Sequence, residues 1–429
     1  MLLLILVGFI LLRLIPYFFW QVPTGYDAGI YLFLFKTFPQ IPQWQKLGFS
    51  PGLFYLTWPL IKLGIPPESL LIPLQIAAEV FLFGCLYWVV KKLIDKKTAL
   101  LAVFLLTVST VQFRAFWYFY VKNVLALGLM ILALYFLSQK KLIKTLLFSF
   151  LVAIFHLPTF LMLFLIMLLS NLKMAGLAIL LGGLAYLTNF QLGIKPFLQP
   201  LLTISKGSSG SFYSLTISWL LTLLYLPLAI YGLKKKSNLR PFLAGALICL
   251  GWVVMRLFFY NRFFITLNIF LIFWAAIGLR QLMKKYQQHL DIFQFYFAAC
   301  IIFIVAFVFK TGQPLINRQL LNEIKAFQAE PEAVILSLGR ANTAWLMGWT
   351  DYPVIAWGYG GEDKYWDREQ WQRIFDPAAV EEKIKLFKLL PQPVYVFLND
   401  TSLYQLPELH QPPCFEQKSF HFYKFVCGD

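Results

Sequence analysis

The sequence predicts an α-helical polytopic membrane protein that carries a small C-terminal α/β domain. Three observations predict it. Of 429 residues, 59% are hydrophobic and only 13% charged, against roughly a quarter charged in soluble proteins. Apolar runs near the length of a bilayer-crossing helix recur along the first three quarters of the chain. Finally, the charge divides: residues 1–309 hold 25 Lys+Arg against 5 Asp+Glu, and residues 310–429 hold 12 against 15. The basic surplus behind the net charge of +17 thus belongs to the apolar part. It sits in short clusters between apolar runs, where it orients helices. Nucleic-acid binding is a poor explanation for it.

About eleven spans are expected. The first, 1–20, lacks a basic start and a small-residue cleavage site, so it reads as a retained helix. A long loop, 21–67, precedes spans at 68–90, 98–113 and 122–138. The apolar run 145–171 could be one helix or a tight pair. Read as one helix, it would put Lys234-Lys235-Lys236 and Arg280, Lys284 and Lys285 opposite the earlier basic clusters. Read as a re-entrant hairpin broken at His156-Leu157-Pro158, it leaves all clusters on one side, as the positive-inside rule favours. Spans at 174–190, 214–233, 241–258, 263–279 and 291–309 follow. This parity starts the N-terminus in the cytoplasm. It places the 21–67 and 191–213 loops, the turns at Arg114 and Arg262, and the tail outside.

The 21–67 loop contains two apolar segments too short to span, around 30–35 and 53–61. They read as interfacial helices walling a cavity, the second capped by Ser50 with Pro51 behind it. In the tail, β-type runs at 333–338, 354–357, 394–398 and 420–426 alternate with helical stretches at 318–327, 367–375 and 377–390. Asp376-Pro377 marks a helix start. This alternation gives the soluble α/β domain, 310–429. Cys85, Cys249 and Cys300 lie in apolar runs as packing residues. If the tail is outside, a disulfide between Cys414 and Cys427 is plausible. The four histidines are scattered, no zinc spacing occurs, and no cofactor or metal is predicted.

Polar candidates on the expected outer face are few. Asp27, in Pro23-Thr24-Gly25-Tyr26-Asp27-Ala28-Gly29-Ile30-Tyr31, lies where the chain leaves the first span. An acid there, among aromatics, is costly without a partner or a task; it could also cap a helix running over 28–38. Glu68 opens the second span. Glu79 lies within it and either serves function or pairs with Arg13 or Arg114. Arg114, Lys122, Lys195, Lys206, Arg256 and Arg262 are the cations on that face. Arg114 to Lys122, through Tyr118, and Arg256 to Phe263, through Tyr260, mix cations with aromatics. Such clusters form either a phosphate site or an interfacial belt of snorkelling cations. Tyr26, Tyr31, Tyr118, Tyr260 and Glu68 are expected to line the substrate cavity. His156, at the hairpin tip, is a candidate for holding phosphate or shuttling a proton, although a lone histidine is more often structural. Lys206-Gly207-Ser208-Ser209-Gly210-Ser211 reads as a mobile loop over the cavity and lacks a P-loop pattern.

Together these features resemble the GT-C superfamily of integral-membrane glycosyltransferases. Asp27-Ala28-Gly29-Ile30-Tyr31 is similar to the family's first-loop acid motif in a single-Asp form. Ala153-Ile154-Phe155-His156-Leu157-Pro158-Thr159 resembles its short broken helix pair, and Asn261-Arg262-Phe263-Phe264 an Arg-aromatic motif. Thr343-Ala344-Trp345-Leu346 and Asp351-Tyr352-Pro353-Val354 resemble its C-terminal domain. Protein O-mannosyltransferase and aminoarabinose-transferase relatives usually carry Asp-Glu where this chain has Asp27-Ala28. Trp349-Thr350-Asp351-Tyr352 lacks the second Trp and the Gly of the oligosaccharyltransferase acceptor motif, and no Asp-x-Asp metal motif occurs.

The resemblance implies transfer of a sugar, hexosyl- or mannosyl-transferase-like, from a polyprenyl-phosphate donor. The acceptor is the hydroxyl of an extracytoplasmic glycan, lipid or protein. Asp27 would be the general base of an inverting displacement, with the donor phosphate on Arg256, Arg262, His156, Lys206 and Arg114. The expected location is a prokaryotic plasma membrane. The alternative activity is a flippase of lipid-linked sugars, for which repeats and paired broken helices would speak. A third reading is an assembly scaffold.

Overall fold

The computed structural model describes residues 1–40, 50–187, 214–233, 239–257, 259–357, 365–375, 380–399 and 414–427. In chain order the elements begin with α1 (Leu2–Trp20), α2 (Asp27–Thr37), α3 (Gly52–Lys62) and a 3₁₀ turn (Pro67–Leu70) leading into α4 (Leu71–Leu93). There follow α5 (Lys96–Thr107), α6 (Thr110–Trp117), α7 (Val121–Ser138), α8 (Leu142–Phe155), α9 (Leu157–Ser170) and α10 (Leu172–Leu187). Next come α11 (Leu215–Leu223), α12 (Leu226–Leu233), α13 (Arg240–Val254), α14 (Tyr260–Lys285) and α15 (Leu290–Thr311). The tail holds α16 (Arg318–Ala326), β1 (Val334–Ser337), α17 (Arg340–Trp349), β2 (Val354–Ala356), α18 (Arg368–Phe375), α19 (Val380–Lys388), β3 (Val394–Phe397), β4 (Phe415–Gln417) and β5 (Phe422–Phe425).

Among the described residues, α1, α4 with its leading turn, α7, α14 and α15 are long and apolar enough to cross a membrane. The bent pairs α5/α6 (54°) and α11/α12 (48°) each add a span if counted as one. Four shorter apolar helices, α8, α9, α10 and α13, complete the set. Each apolar run of the sequence is therefore a helix or a bent pair. The runs at 98–113 and 214–233, each read as one span, are broken. Ser109 breaks the first by capping α6, its hydroxyl accepting from Gln112 N at 3.3 Å; Pro227, in the first turn of α12, suits a new helix start after the second break.

The chain divides into two compact units, Met1–Phe19 with Lys46–Gln313, and Trp20–Gln45 with Pro314–Asp429. In the first unit α14 is the central helix, with every side chain from Phe263 to Leu279 buried. A Cβ on Gly232 would lie 2.3 Å from Trp274 O, and one on Gly278 1.9 Å from Leu228 O. Only glycine lets α12 and α14 approach this closely, as small residues do between membrane helices. Several polar groups inside this unit pair with one another. Ser109 Oγ and Gln112 Nε2 both donate to Asn268 Oδ1, at 2.8 and 3.0 Å, and Gln112 also donates to Ile265 O at 2.9 Å. The buried Arg13 donates to Glu79 at 2.7 Å, its guanidinium 3.5 Å from the Phe9 ring centroid. Glu79 is thus half of an ion pair in the helix packing, the structural alternative of the sequence reading.

The α8/α9 break falls at His156, whose backbone is extended. Ser50 departs from expectation: Pro51, not Ser50, occupies the cap position of α3. The Ser50 hydroxyl accepts instead from Leu157 N at the hairpin tip, at 3.3 Å. α3 buries Leu53, Phe54 and Thr57 and exposes Tyr55, Leu56 and Trp58, the two-faced pattern of an interfacial helix.

The second unit is built on a five-stranded sheet in the order β2-β1-β3-β5-β4. β1 pairs parallel with β2 and β3; β5 pairs antiparallel with β3 and β4. Trp366, Trp371, Phe387, Leu336 and Val396 form its apolar core. Cys414 and Cys427 are joined by a disulfide, Cα–Cα 4.7 Å. β4 and α17 are not among the elements expected, and the Asp376-Pro377 start lies outside the described residues. α2 belongs to this unit and packs its apolar face on α17.

Candidate functional site

Asp27 opens α2. The helix starts at Asp27 itself, with Tyr26 in the cap position and no side-chain cap bond. The cap reading of Asp27 is therefore corrected: its carboxylate stands in the first turn, where the positive end of the helix dipole favours an anion. Asp27 is half-buried, as is Tyr26, while Tyr31 is buried against Phe35. The seat of this helix is set by glycine. A Cβ on Gly29 would lie 2.0 Å from Ala344 O, and one on Gly348 2.6 Å from Gly29 O. Backbone meets backbone there, so α2 and α17 fix each other. Lys36 adds a 3.0 Å ion pair to Asp351. Tyr352, from the same motif, donates to Ala329 O at 2.9 Å and accepts from Ala329 N at 2.7 Å. The residues after Trp345 thus brace the acid-bearing helix and the domain.

In the first unit, His156, Thr159 and Arg262 line one cavity of about 40 Å³, together with Asn123, Phe259 and Thr266. That is room for roughly one water molecule, and so for an oxygen atom rather than a sugar phosphate. His156 caps α9. Its Nδ1 lies 2.8 Å from Thr159 Oγ1 and accepts from Thr159 N at 3.4 Å. Nε2 is then the ring atom left to meet a ligand. Arg262, in the first turn of α14, places its guanidinium 4.7 Å from the Tyr120 centroid and 5.3 Å from that of Phe259. Phe259 holds φ 55°, a left-handed backbone that aims α14 out of the preceding turn.

Tyr120 stacks on Tyr118 at 5.3 Å. Arg114 donates to Tyr118 Oη at 3.3 Å and lies 3.8 Å over Trp117. A ladder of cation, ring, ring and cation therefore runs from Arg114 to Arg262. It restrains both guanidinium groups, as a bidentate anion site needs. Of the sequence candidates, the structure brings His156 and Arg262 to one cavity and ties Arg114 and Tyr118 to it through Tyr120. Arg256 is exposed, with φ 52°, and is not among the cavity's lining residues. Tyr260 is half-buried in the first turn of α14, and Glu68 is exposed in the 3₁₀ turn. Lys195, Lys206 and the loop around them lie outside the described residues. Sequence reasoning missed Tyr120, Thr159 and Asn123. Tyr120 stood inside a cluster already singled out; Thr159, three residues after a histidine before proline, carried a capping signal. Among the described residues no three His, Cys, Asp or Glu side chains gather as a metal site.

No family model matches the chain, and no curated protein matches it. Solved structures do. ArnT from Cupriavidus metallidurans aligns with TM-score 0.65 at 10% identity, over 98% of this chain and 97% of that one. Its structure bound to undecaprenyl phosphate aligns equally well. The oligosaccharyltransferase AglB from Archaeoglobus fulgidus, in complex with an inhibitory peptide and a dolichol-phosphate, aligns with TM-score 0.56 at 13% identity, over 92% of this chain and 69% of that one. The chain shares the fold of these solved structures. This is a polytopic membrane fold with a small sheet, and the chain is an integral membrane protein.

Proposed function

We propose that this protein transfers a sugar from a polyprenyl-phosphate donor to a hydroxyl of an extracytoplasmic acceptor, with inversion at the anomeric carbon. The observation that carries the reading is the full-length GT-C fold shared with a protein whose structure holds undecaprenyl phosphate. In the reaction the acceptor oxygen attacks the anomeric carbon. The bond from that carbon to the phosphate oxygen breaks, and the electron pair leaves with the polyprenyl phosphate. Asp27 takes the acceptor proton. Arg262, held on Tyr120, stabilises the charge of the departing phosphate, and His156 Nε2 offers a further contact. A phosphate so stabilised leaves without a protonating acid, unlike the leaving group of an inverting glycosidase. The disulfide of the tail supports an oxidising, extracytoplasmic setting for that domain.

The test is turnover of a polyprenyl-phosphate sugar by purified protein in detergent. Asp27→Asn is expected to fold normally and to lose about 10²–10⁴ in rate, the usual worth of general-base help. Near-normal turnover in that variant sinks the assignment. Arg262→Ala is expected to weaken donor binding. The bent pairs α5/α6 and α11/α12 favour a second reading, translocation of the lipid-linked sugar, because broken helices mark transporter sites. Reconstituted in vesicles with donor on one side, a flippase moves the lipid intact, whereas a transferase consumes it.

A further inference from the structure

The second unit holds a cleft of about 390 Å³ between the start of α16, the start of α17 and the β4–β5 turn. Its size lies within the roughly 300–1,000 Å³ of small-molecule sites. The polar groups lining it are amides and an imidazole: Asn317, Gln319, Asn342, Asn399 and His421, with Phe420 beside them. Among the described residues no lysine or arginine lines it, which disfavours a phosphate.

Three features mark it as built for a ligand. Asn342 is only 4% exposed, yet it lines the cleft. Phe420 is 68% exposed, a ring held in water at the rim. The turn that carries it is clamped. Glu323 accepts from Ser419 Oγ at 2.6 Å, from His421 N at 2.8 Å, and its second oxygen lies 2.6 Å from His421 Nδ1. That clamp orients the imidazole so that Nε2 remains for the cleft.

Carboxamides offer donor and acceptor side by side, which matches vicinal hydroxyls. An exposed ring offers its electron-rich face to the C–H side of a pyranose. We propose that this cleft is a subsite for a neutral carbohydrate, which would make the acceptor of the proposed transfer a glycan. The inference rests on the transferase reading only for the word acceptor; the binding itself stands apart from it.

The experiment is saturation-transfer NMR on the full chain in detergent, with maltose, cellobiose and mannobiose as probes at millimolar concentration. At least one is expected to bind, and Asn342→Ala and Phe420→Ala each to weaken it roughly five- to tenfold. Phe420 is exposed, so its removal leaves the core intact and keeps the test open if Asn342→Ala folds poorly. Absence of binding by all three sugars overturns the proposal. So does binding that both variants leave unchanged, or binding of an acceptor-type peptide with no sugar bound. If the wild type binds sugar but never consumes a donor lipid, the transferase reading fails and the subsite stands.

Discussion

Glu79 and Asp27 look alike in the sequence, each an acid beside or within an apolar run. Their surroundings separate them. Glu79 is held by Arg13 at 2.7 Å with both side chains buried, so it is spent on packing. Removing one partner leaves the other charge stranded. Glu79→Ala is expected to cost about 3–5 kcal/mol, read as a lower melting temperature in detergent. Turnover per folded molecule should stay near normal, whereas Asp27→Asn loses turnover and keeps its melting temperature. Glu330 makes the same scale visible in the second unit. Lys424 and Tyr395 both donate to it at 2.6 Å. These bonds, Lys424 first, hold its carboxyl near pKa 2, below its ordinary value of 4.5. The folded state thus binds its proton less readily than the unfolded chain. The stability this contributes is present above about pH 4.5 and lost as pH falls toward 2. Glu330→Gln is expected to flatten that part of an acid-unfolding curve; an unchanged acid limb would refute the role.

Between elements, glycine decides what can touch. The Gly29–Gly348 crossing brings the α2 and α17 backbones together so closely that a methyl group at residue 29 would overlap Ala344 O. Gly29→Ala must shift α2 away, at a cost of about 1–3 kcal/mol. The expected signature is faster amide hydrogen exchange over α2, with the rest of the sheet domain protected as before. Turnover should drop although Asp27 is untouched. If exchange in α2 stays as in the wild type, the crossing does not hold the acid. α14 shows the same logic inside the membrane unit, where Gly278 admits α12. The α5/α6 break differs in kind: the Ser109 hydroxyl accepts from Gln112 N, one of the backbone groups that a new helix start leaves behind, and the Ser109 and Gln112 side chains both donate to Asn268.

For the molecule as a whole, the chain matches ArnT from end to end in fold at 10% identity, so the architecture outlasts nearly all of the sequence. Its tail is cross-linked by Cys414–Cys427 across a separation of 13 residues. Cys414→Ser is expected to lower the stability of the tail by about 2–4 kcal/mol, read by thermal melting or proteolysis. In intact cells, reduction followed by a membrane-impermeant thiol reagent should label this pair and leave the buried Cys85 and Cys249 unmarked. Protection of the pair would place the tail on the cytoplasmic side and remove Asp27 from the outer face.

What the sequence determined by itself is what composition and periodicity can encode. Apolar length marked each membrane run, the break before Pro158 marked the hairpin, and alternation marked β1, β2, β3 and β5. These signals are local, because bilayer thickness and backbone geometry act on each segment separately. Only the tertiary structure decided which polar groups meet. It paired Arg13 with Glu79, brought His156 and Arg262 to one cavity, left Arg256 exposed, and seated α2 on α17. β4 was illegible because Phe415-Glu416-Gln417 is too short and polar to signal a strand and exists by pairing with β5. Partners separated by tens or hundreds of residues leave no mark in either segment, since contact is a property of the packed chain and neither residue type nor spacing records it.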